Sequence, residues 1–595
     1  MKRYIALFIV VSFVLTSCLD PLDFTDYHDP QRVDDALTRL HTDYPGLTQI
    51  VTIGTSVEGR PIKALKISST PGVNDPAKGD VIFVGCHHAR EWMSIEVPLY
   101  VATHLLSEYN TNADLKADID HTQIWIIPVL NVDGFQYTQT TANRYWRKNR
   151  KNNGDGTFGV DLNRNYSYQW ALPGVSGSPI TSDYTYYGPS PFSEPELVSI
   201  RNFMSGLGNL KAFFTYHSYG DYHMKPWSYT FSDAPGQPTL HSIAVRDINR
   251  IAAVHGSTYQ EIFNLYNSSG EATDYWWNEK RIAALTTEVR PQYSAALGLD
   301  GFSPNKTEII PTCEENYPAA KAIIHDAALP RVWLKDNAGD TGAEPSTGYP
   351  WESPDIWTVP AILNQNATVD LHIHVNNATG SPVQNVTVNA YYTDPRITLE
   401  FPNPASIAIG STTVNVPPGG KDIVMPWTTP TGTNSWGERH WCVGVVVKQD
   451  DDMPLTTIVN RSSNIACHNF NTTTVVSGSI ITVAATNFLD VAAELQVDLI
   501  REGLPADWRL EMPTVEELQR DAKVLPGTDR KSKLLKTQGV LLEPGQTIKI
   551  PIKVYFEKGT DKEIPVRIRG NLVPLVGGKR EPVGNGYTYG IIAKK

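Results

Sequence analysis

The sequence predicts an α/β domain, with a mixed, mostly parallel sheet flanked by helices, followed by two all-β sandwich domains. Two continuous apolar runs, 81–84 and 124–127, are typical of strands covered on both faces. Beyond residue 335 apolar and polar residues alternate strictly, which indicates strands with one buried face. A chain of 595 residues is also too long for a single hydrophobic core.

The α/β domain is predicted over residues 24–330. Between its first two strands, apolar residues recur at helical spacing, namely Ile95, Leu99, Ala102 and Leu106. Further inner strands are predicted at 211–215 and 283–286, and a closing helix is predicted at 315–328. Strands and helices that alternate in this way are typical of α/β architecture.

The β-rich half begins after a predicted linker. Residues 335–354 are rich in Gly, Pro, Asp and Ser, a composition typical of linkers. A first sandwich is predicted over 355–472 and a second over 473–595. Their clearest alternating positions are Val369, Leu371, Ile373 and Val375 in the first, and Ile548, Ile550, Ile552 and Val554 in the second.

Composition and charge narrow the possible partners. Hydrophobic residues make up 41% and charged residues 19% of the chain, as expected of an ordered globular protein. The net charge of -12 argues against a nucleic-acid partner, because phosphate binding needs a basic face. We expect a monomer.

The first residues predict export. Lys2 and Arg3 precede the apolar run 4–15, which is too short to span a bilayer and is typical of a secretory signal over residues 1–17. The run ends in Leu15-Thr16-Ser17-Cys18, which resembles the bacterial lipobox. We therefore expect a lipid anchor on Cys18 and a location at the cell envelope. The alternative is ordinary cleavage near Ser17 and a secreted product.

The four remaining cysteines are Cys86, Cys313, Cys442 and Cys467. None forms a C-x-x-C pair, which argues against a thiolate zinc site. Cys442 and Cys467 lie in one β-rich region of a chain predicted to be exported, where a disulfide between them is one expectation.

A candidate metal-binding pair follows the strand 81–84 directly. His88 and Glu91 form an H-x-x-E pair, and its imidazole and carboxylate both suit Zn²⁺. A catalytic zinc usually takes three protein ligands and one water. His217, just after another predicted strand, is the best third candidate, because ligands collect at the carboxyl ends of strands in open α/β sheets. Alone, these residues are weak evidence, and His87 competes with His88.

A series of segments strengthens this hypothesis. They are Ser56-Val57-Glu58-Gly59-Arg60-Pro61-Ile62, His88-Ala89-Arg90-Glu91-Trp92, Asn131-Val132-Asp133-Gly134, Asn143-Arg144-Tyr145-Trp146-Arg147-Lys148, Gly159-Val160-Asp161-Leu162-Asn163-Arg164-Asn165, His217-Ser218-Tyr219, Leu265-Tyr266-Asn267-Ser268-Ser269-Gly270, Thr287-Glu288-Val289-Arg290 and Ile309-Ile310-Pro311-Thr312. In these segments and their order, the chain resembles the carboxypeptidase A/B-like zinc metallocarboxypeptidases across residues 24 to 330.

The resemblance implies a zinc-dependent carboxypeptidase with one Zn²⁺ per catalytic domain. His88, Glu91 and His217 would bind the ion, and a zinc-bound water would attack the last peptide bond of a peptide or protein. Zinc lowers the pKa of its bound water to about 7. Glu288 would act as the general base.

The resemblance also implies how the substrate is held. Arg147 would stabilise the oxyanion, a contribution worth about 10²–10³ in rate. Asn163 and Arg164 would bind the terminal carboxylate, since a planar guanidinium grips a carboxylate with two hydrogen bonds. Tyr266 would close over the substrate, and Arg90 would contact more distant positions.

Specificity is implied by the residues after Tyr266. Thr273 matches the position that selects the terminal side chain, and it is neither apolar nor acidic. Glu271 stands two residues earlier, within possible reach of a cationic side chain. We predict broad cleavage of apolar and aromatic C-terminal residues, with some activity on Lys or Arg. Only a few residues separate Cys18 from the catalytic segment, so activity without removal of a pro-domain is expected.

Two other functions compete with this interpretation. One is a zinc amidase or cell-wall peptide-trimming enzyme of the same fold, and the other is a non-catalytic binding protein of the envelope. Asn163, Arg164 and Tyr266 favour a substrate with a free α-carboxylate. The chain also retains every implied zinc ligand and the base, which argues against a purely binding role.

Overall fold

The structure is a computed structural model that describes residues 20–232, 237–263, 265–291, 300–302, 304–328 and 331–342. From residue 350 onward it describes all positions except 360–365, 380, 395–400, 404, 432–440, 450–451, 457–458, 460–461, 463, 471, 488–491, 501–503, 515–538, 544–545, 560–563, 575–582 and 594–595. The predicted signal segment and Cys18 therefore lie outside the described residues.

Among the described residues, the α/β part contains eight α-helices and eight strands. The helices are α1 (Pro30–Asp43), α2 (Met93–Glu108), α3 (Ala113–His121), α4 (Val132–Tyr137), α5 (Pro195–Ser205), α6 (Gln237–His255), α7 (Ala272–Lys280) and α8 (Ile309–Ala327). The strands are β1 (Thr48–Thr55), β2 (Pro61–Ile67), β3 (Gly79–Val84), β4 (Thr122–Ile127), β5 (Leu210–Ser218), β6 (Tyr222–Met224), β7 (Gln260–Ile262) and β8 (Ala283–Val289).

The eight strands form one sheet in the order β1-β2-β4-β3-β5-β8-β6-β7. The four inner strands β4, β3, β5 and β8 run parallel to each other. Toward the edges, β2 pairs with β4, and β6 with β8, in antiparallel fashion. The prediction of a mixed, mostly parallel sheet flanked by helices is confirmed.

Successive residues of β3 enter opposite cores. Val81 and Phe83 belong to the core that packs against α1, α2 and α8, whereas Ile82 and Val84 belong to the core on the other face, with residues of α5 and α7. All four side chains are fully buried. Burial on both faces is why this strand is continuously apolar in the sequence.

The closing helix is longer than predicted. It begins at Ile309 rather than at residue 315. Pro311 lies in its first turn, where a backbone N–H has no partner within the helix, so the proline does not prevent an earlier start.

Among the described residues of the C-terminal half, every regular secondary-structure element is a strand. They are β9 (Val332–Trp333), β10 (Ile356–Val359), β11 (Thr368–Asn377), β12 (Val383–Thr393), β13 (Ile407–Val416), β14 (Lys421–Thr428), β15 (Trp441–Lys448), β16 (Ile465–Phe470), β17 (Thr472–Val475), β18 (Ser479–Thr486), β19 (Ala493–Ile500), β20 (Arg509–Glu511), β21 (Val540–Leu542), β22 (Thr547–Tyr555), β23 (Ile564–Pro574) and β24 (Val583–Ala593).

These strands form two pairs of sheets. In the first pair, β10-β11-β14 with β9 faces β13-β12-β15-β16, and their inner side chains share one hydrophobic core. In the second pair, β17-β24-β23-β19-β21 faces β18-β22-β20 across another core. The predicted succession of an α/β part and all-β sandwiches is confirmed.

Part of the predicted linker packs against the first sandwich. Trp351 is 1% exposed and shares a cluster with Phe401, Cys442 and Ile465. The strand β9 before the linker already pairs with β11. This segment is rich in polar residues but also contains a tryptophan that is buried against the first sandwich.

The disulfide expected between Cys442 and Cys467 is not formed: both residues carry buried thiols, and Sγ of Cys442 donates to Oδ1 of Asn469. Cys442 lies opposite Asn469 and Cys467 opposite Gly444, so the two cysteines are diagonal rather than direct neighbours. Diagonal neighbours lie about 7–8 Å apart, beyond the usual Cα separation of a disulfide.

Within the described part of the chain, no helix combines the length and apolarity needed to cross a membrane.

Candidate metal centre

The candidate site lies at the carboxyl ends of the parallel strands β3, β5 and β8. His88 and Glu91 occupy the loop between β3 and α2, and His217 is the penultimate residue of β5. Glu288 is the penultimate residue of β8, directly opposite His217 in the parallel register. Adjacent parallel strands end at one edge of a sheet, so the fold brings these four residues together.

Three side chains converge on one point. The Nδ1 atom of His88 lies 2.8 Å from Oε1 of Glu91, and Nδ1 of His217 lies 3.0 Å from Oε2 of Glu91. The two Nδ1 atoms are 3.1 Å apart. All three residues are buried, and among the described residues they form the only group of three His, Cys, Asp or Glu side chains whose candidate ligand atoms all lie within 4.8 Å of one another.

This donor set fits a zinc ion. Two imidazole nitrogens and a carboxylate about 3 Å apart surround a position within the roughly 2.0–2.2 Å reach of zinc–ligand bonds. Burial, followed by the charge of Arg147, lowers the pKa of His88, which favours the neutral imidazole that binds metals.

His87 is excluded as the competing ligand by its hydrogen bonds. Its Nδ1 lies 2.9 Å from the Thr215 hydroxyl and its Nε2 lies 3.0 Å from the Tyr166 hydroxyl. Both ring nitrogens are therefore engaged away from Glu91.

Asp161 is a functional candidate that the sequence prediction did not single out. Its Oδ1 lies 3.1 Å from Nε2 of His88, and its Oδ2 accepts a 2.9 Å hydrogen bond from Nε of Arg147. Burial opposes its ionisation, but Arg147 and His88 hold the pKa of Asp161 well below its usual range. The only signal in the sequence was its place two residues before Asn163.

Glu288 lies beside this centre with one oxygen, Oε2, that is buried and has no hydrogen-bond partner among the described residues. Burial, and then the negative charge of Glu91, raise the pKa of Glu288 to about 8. A cation held by His88, Glu91 and His217 would oppose this shift, because it favours the charged carboxylate.

A second group of predicted residues gathers around Arg164. Arg164 is 2% exposed and its Nη2 donates to the Tyr266 hydroxyl at 3.3 Å. The Oδ1 atom of Asn163 accepts the backbone N–H of Ala272 at 2.9 Å, which leaves its amide nitrogen as a donor. Tyr266 is 49% exposed, so this group combines a buried cation with an aromatic side chain at the surface.

Glu271 pairs with an arginine of this chain, whereas the sequence suggested a cationic side chain of the substrate as its partner. Its Oε1 accepts a hydrogen bond from Nη1 of Arg164 at 2.9 Å, so its partner in the structure is a residue of this chain. Thr273 is 2% exposed and lies in the first turn of α7.

Arg90 packs against an aromatic side chain. Its guanidinium stacks 4.0 Å from the ring centre of Phe302. Arg144 donates to the backbone oxygens of Arg90 and Phe302, each at 2.8 Å, and so ties these two residues together.

Comparison with known proteins places these residues in a recognised family. A family model described as zinc carboxypeptidase matches residues 33–319. The chain is 34% identical to "Carboxypeptidase B" of Astacus astacus over 313 residues, which cover 51% of this chain and 98% of that protein. It is also 34% identical to "Carboxypeptidase A1" of Mus musculus, with 51% of this chain and 71% of that protein covered.

Solved structures match the same half of the chain. Bovine thrombin-activatable fibrinolysis inhibitor, in complex with tick carboxypeptidase inhibitor, is 27% identical with a TM-score of 0.46 and covers 51% of this chain and 98% of that chain. Carboxypeptidase A from Helicoverpa armigera is 31% identical with a TM-score of 0.46, covering 51% and 74%.

Proposed function

The chain belongs to the zinc carboxypeptidase family, and we propose that this hydrolase removes C-terminal residues with Glu288 as general base. The observation that carries the proposal is the convergence of His88, Glu91 and His217 on one point, beside Glu288. Its family membership supports zinc as the metal. The fit of two imidazoles and one carboxylate to zinc agrees with this choice.

In this proposal His88, Glu91 and His217 hold the ion and Asp161 orients His88. A zinc ion held by these residues would supply Lewis-acid chemistry, polarising the scissile carbonyl and lowering the pKa of water toward neutrality. Glu288 accepts the proton of the attacking water and passes it to the leaving amine. Arg147 keeps its Nε on Asp161, so its terminal NH₂ groups remain as donors for the developing oxyanion.

The terminal carboxylate is bound by the group around Arg164. The guanidinium supplies two parallel donors, and the amide nitrogen of Asn163 supplies a third. Tyr266, half exposed at the surface, closes over the bound residue, and Arg90 contacts residues further from the scissile bond. Because a free carboxylate fills this position, the reaction stops at the last peptide bond.

We propose broad specificity for apolar and aromatic terminal residues, with activity on Lys or Arg as well. The small polar side chain of Thr273 supports this, since it neither excludes bulky side chains by size nor selects by charge.

We also propose that Cys18 carries a lipid anchor at the cell envelope. Replacing it in Cys18→Ser should release the protein from the membrane fraction, and unchanged membrane association would contradict the anchor.

The test compares two peptides that differ only in a free or an amidated C-terminus. We expect release of one terminal amino acid from the free acid, abolished by a zinc chelator and restored by Zn²⁺. The amide should be cleaved at least about 100-fold less efficiently, because it lacks the charge that Arg164 binds.

The matched variant is Glu288→Gln, which keeps the shape of the side chain but cannot accept the proton. It should retain one zinc per chain and lose nearly all turnover. Equal cleavage of the amide, cleavage at internal bonds, or full activity of Glu288→Gln would each contradict the proposed function.

A further inference from the structure

The outer nitrogen of the His217 ring is placed differently from that of His88. Nε2 of His88 lies 3.1 Å from Oδ1 of Asp161, the kind of contact that usually orients a histidine bound to a metal. Nδ1 of His217 faces Glu91, and its Nε2 is buried without a hydrogen-bond partner among the described residues. The orientation of the His217 ring must therefore come from another contact.

The ring of His87 supplies that contact. It lies face to face with the His217 ring, with 5.4 Å between the ring centres and 20° between the planes. Aromatic pairs prefer such an offset-stacked arrangement. The two residues are 0% and 1% exposed, so their rings meet away from solvent. The orientation of His217 consequently depends on the plane of His87.

The plane of His87 is fixed by two hydrogen bonds, one at each ring nitrogen. Nδ1 lies 2.9 Å from the Thr215 hydroxyl, and Nε2 lies 3.0 Å from the Tyr166 hydroxyl. Because the two nitrogens point in different directions, rotation of the ring would break both bonds. Thr215 precedes His217 by two residues in β5, so both side chains lie on the same face of the strand.

Tyr166 extends this network toward the proposed carboxylate site. It is 0% exposed and follows Arg164 by two residues. Its backbone N–H donates to the oxygen of Gly270 at 3.1 Å. Two roles for His87 follow from these contacts, namely orientation of His217 or placement of the segment that carries Arg164. The stacking favours the first role, because it joins His87 directly to a candidate metal ligand.

We propose that His87 is a positioning residue that orients the ring of His217 for metal binding. Its hydrogen bonds to Thr215 and Tyr166 fix its own plane, and stacking transmits that plane to His217. In this role His87 neither binds the metal nor transfers a proton. The inference rests on the proposed function and deepens it, since it concerns the metal centre used there.

The test measures the zinc dissociation constant by competition with a chelator of known affinity. His87→Leu removes the flat ring and both hydrogen bonds, and it should raise the constant by about 10- to 100-fold, as is usual when a residue that orients a metal ligand is lost. Tyr166→Phe and Thr215→Val each remove one hydroxyl and should raise it by smaller factors. The double variant His87→Leu/Thr215→Val should match His87→Leu, because the threonine acts through the histidine.

Cobalt substitution gives a second readout that a purely structural role would not change. The visible absorption of bound Co²⁺ depends on the arrangement of its ligands. The Co²⁺-loaded form of His87→Leu should therefore have shifted bands. A loss of stability alone would leave the spectrum of the folded protein unchanged, and the unfolding midpoint of the metal-free protein identifies any variant that does not fold.

The matched control is Thr122→Val. Thr122 is a fully buried threonine of the same sheet, and its hydroxyl donates to the backbone oxygen of Asp118 at 2.7 Å. This variant should lose stability, as Thr215→Val does, because both remove a buried hydrogen bond. Its zinc affinity and cobalt spectrum should equal those of the wild type.

Wild-type zinc affinity in both Tyr166→Phe and Thr215→Val would overturn the inference, and these two variants decide the matter even where His87→Leu does not fold. A raised KM with unchanged zinc affinity would also overturn it, since His87 would then act through the segment that carries Arg164. Zinc-loaded wild-type protein that releases no terminal amino acid would contradict the proposed function instead, and the zinc affinities would still test the role of His87.

Discussion

At the scale of single residues, Asp161 contacts both a candidate metal ligand and the candidate oxyanion donor. It contacts His88 on the metal side and Arg147 on the substrate side, and it is fully buried. Partners that hydrogen-bond to metal ligands fix the orientation of the ring and raise its basicity. Under the proposed function, Asp161 would therefore affect both metal affinity and oxyanion stabilisation.

Replacing this residue in Asp161→Asn should raise the zinc dissociation constant by about 10- to 100-fold. The amide keeps the size of the side chain but has one acceptor oxygen for two donors. Competition with a chelator of known affinity measures the change. Asp155→Asn is the matched control, because Asp155 is exposed and bonds to Thr157, and unchanged zinc affinity in Asp161→Asn would contradict the assigned role.

Residue types and spacing predicted the candidate metal ligands but not the residues that hydrogen-bond to the site. His88 and Glu91 share a short H-x-x-E segment, which is visible in the chain. Asp161 and the partner of Glu271 depend on contacts across 73 and 107 positions, respectively. Which cation a buried carboxylate meets is decided by tertiary packing, so the sequence suggested a substrate charge where the structure has Arg164.

At the scale of elements, apolar runs predicted the inner strands well. The runs 81–84 and 124–127 fall inside β3 and β4, where every residue is buried. The order of the strands and the antiparallel pairing at the edges of the sheet could not be predicted, because periodicity reports burial and not neighbours. The predicted start of α8 is too late, because Pro311 near its beginning resembles a helix boundary.

At the same scale, helix α2 is linked to the N-terminal segment by a buried pair formed by Glu96 and His28. Nδ1 of His28 lies 2.6 Å from Oε2 of Glu96 in α2, and the exposed fractions are 1% and 0%. Burial alone would lower the pKa of His28, but the charge and hydrogen bond of Glu96 raise it. A raised histidine pKa means that the fold favours the protonated ring.

His28→Gln should therefore destabilise the protein by about 3 kcal/mol in mildly acidic solution, because it leaves Glu96 buried without its partner. The difference should be complete below the usual histidine pKa of 6.5 and should shrink as the pH rises through the raised value. Denaturant unfolding at several pH values measures this. His121→Gln, on an exposed ring, is the control, and a difference that grows with pH would contradict the assignment.

At the scale of the whole molecule, the first sandwich contributes to the core of the α/β part. Met453 and Leu455 are 6% and 4% exposed and belong to the core beneath α2 and α8. The backbone oxygen of Leu455 accepts the N–H of Ala283, the first residue of β8, at 2.8 Å. Asp326 in α8 accepts the N–H of Met453 at 3.0 Å and pairs with Arg246 at 2.5 Å.

Truncation in Leu455→Ala should destabilise the α/β part by about 2–5 kcal/mol, as expected for a buried leucine. The temperature at which activity is lost should fall together with that of global unfolding. Ile480→Ala, at a side chain that is 55% exposed, should change neither by much. Unfolding of the sandwich alone, with catalytic inactivation unaffected, would contradict this coupling.

The division into an α/β part and β sandwiches was predictable, because the periodicity of apolar residues changes near residue 335. The contact between the α/β part and the first sandwich could not be predicted, since Met453 and Leu455 look like ordinary apolar residues of a β-rich segment.

The central claim is that one zinc ion is held by His88, Glu91 and His217. Anomalous diffraction at the zinc absorption edge, from crystals of the zinc-loaded protein, tests it most directly. We expect one strong peak within bonding distance of Nδ1 of His88, Nδ1 of His217 and the carboxylate of Glu91. A peak at another position, or zinc that is not bonded to these three side chains, would contradict the account.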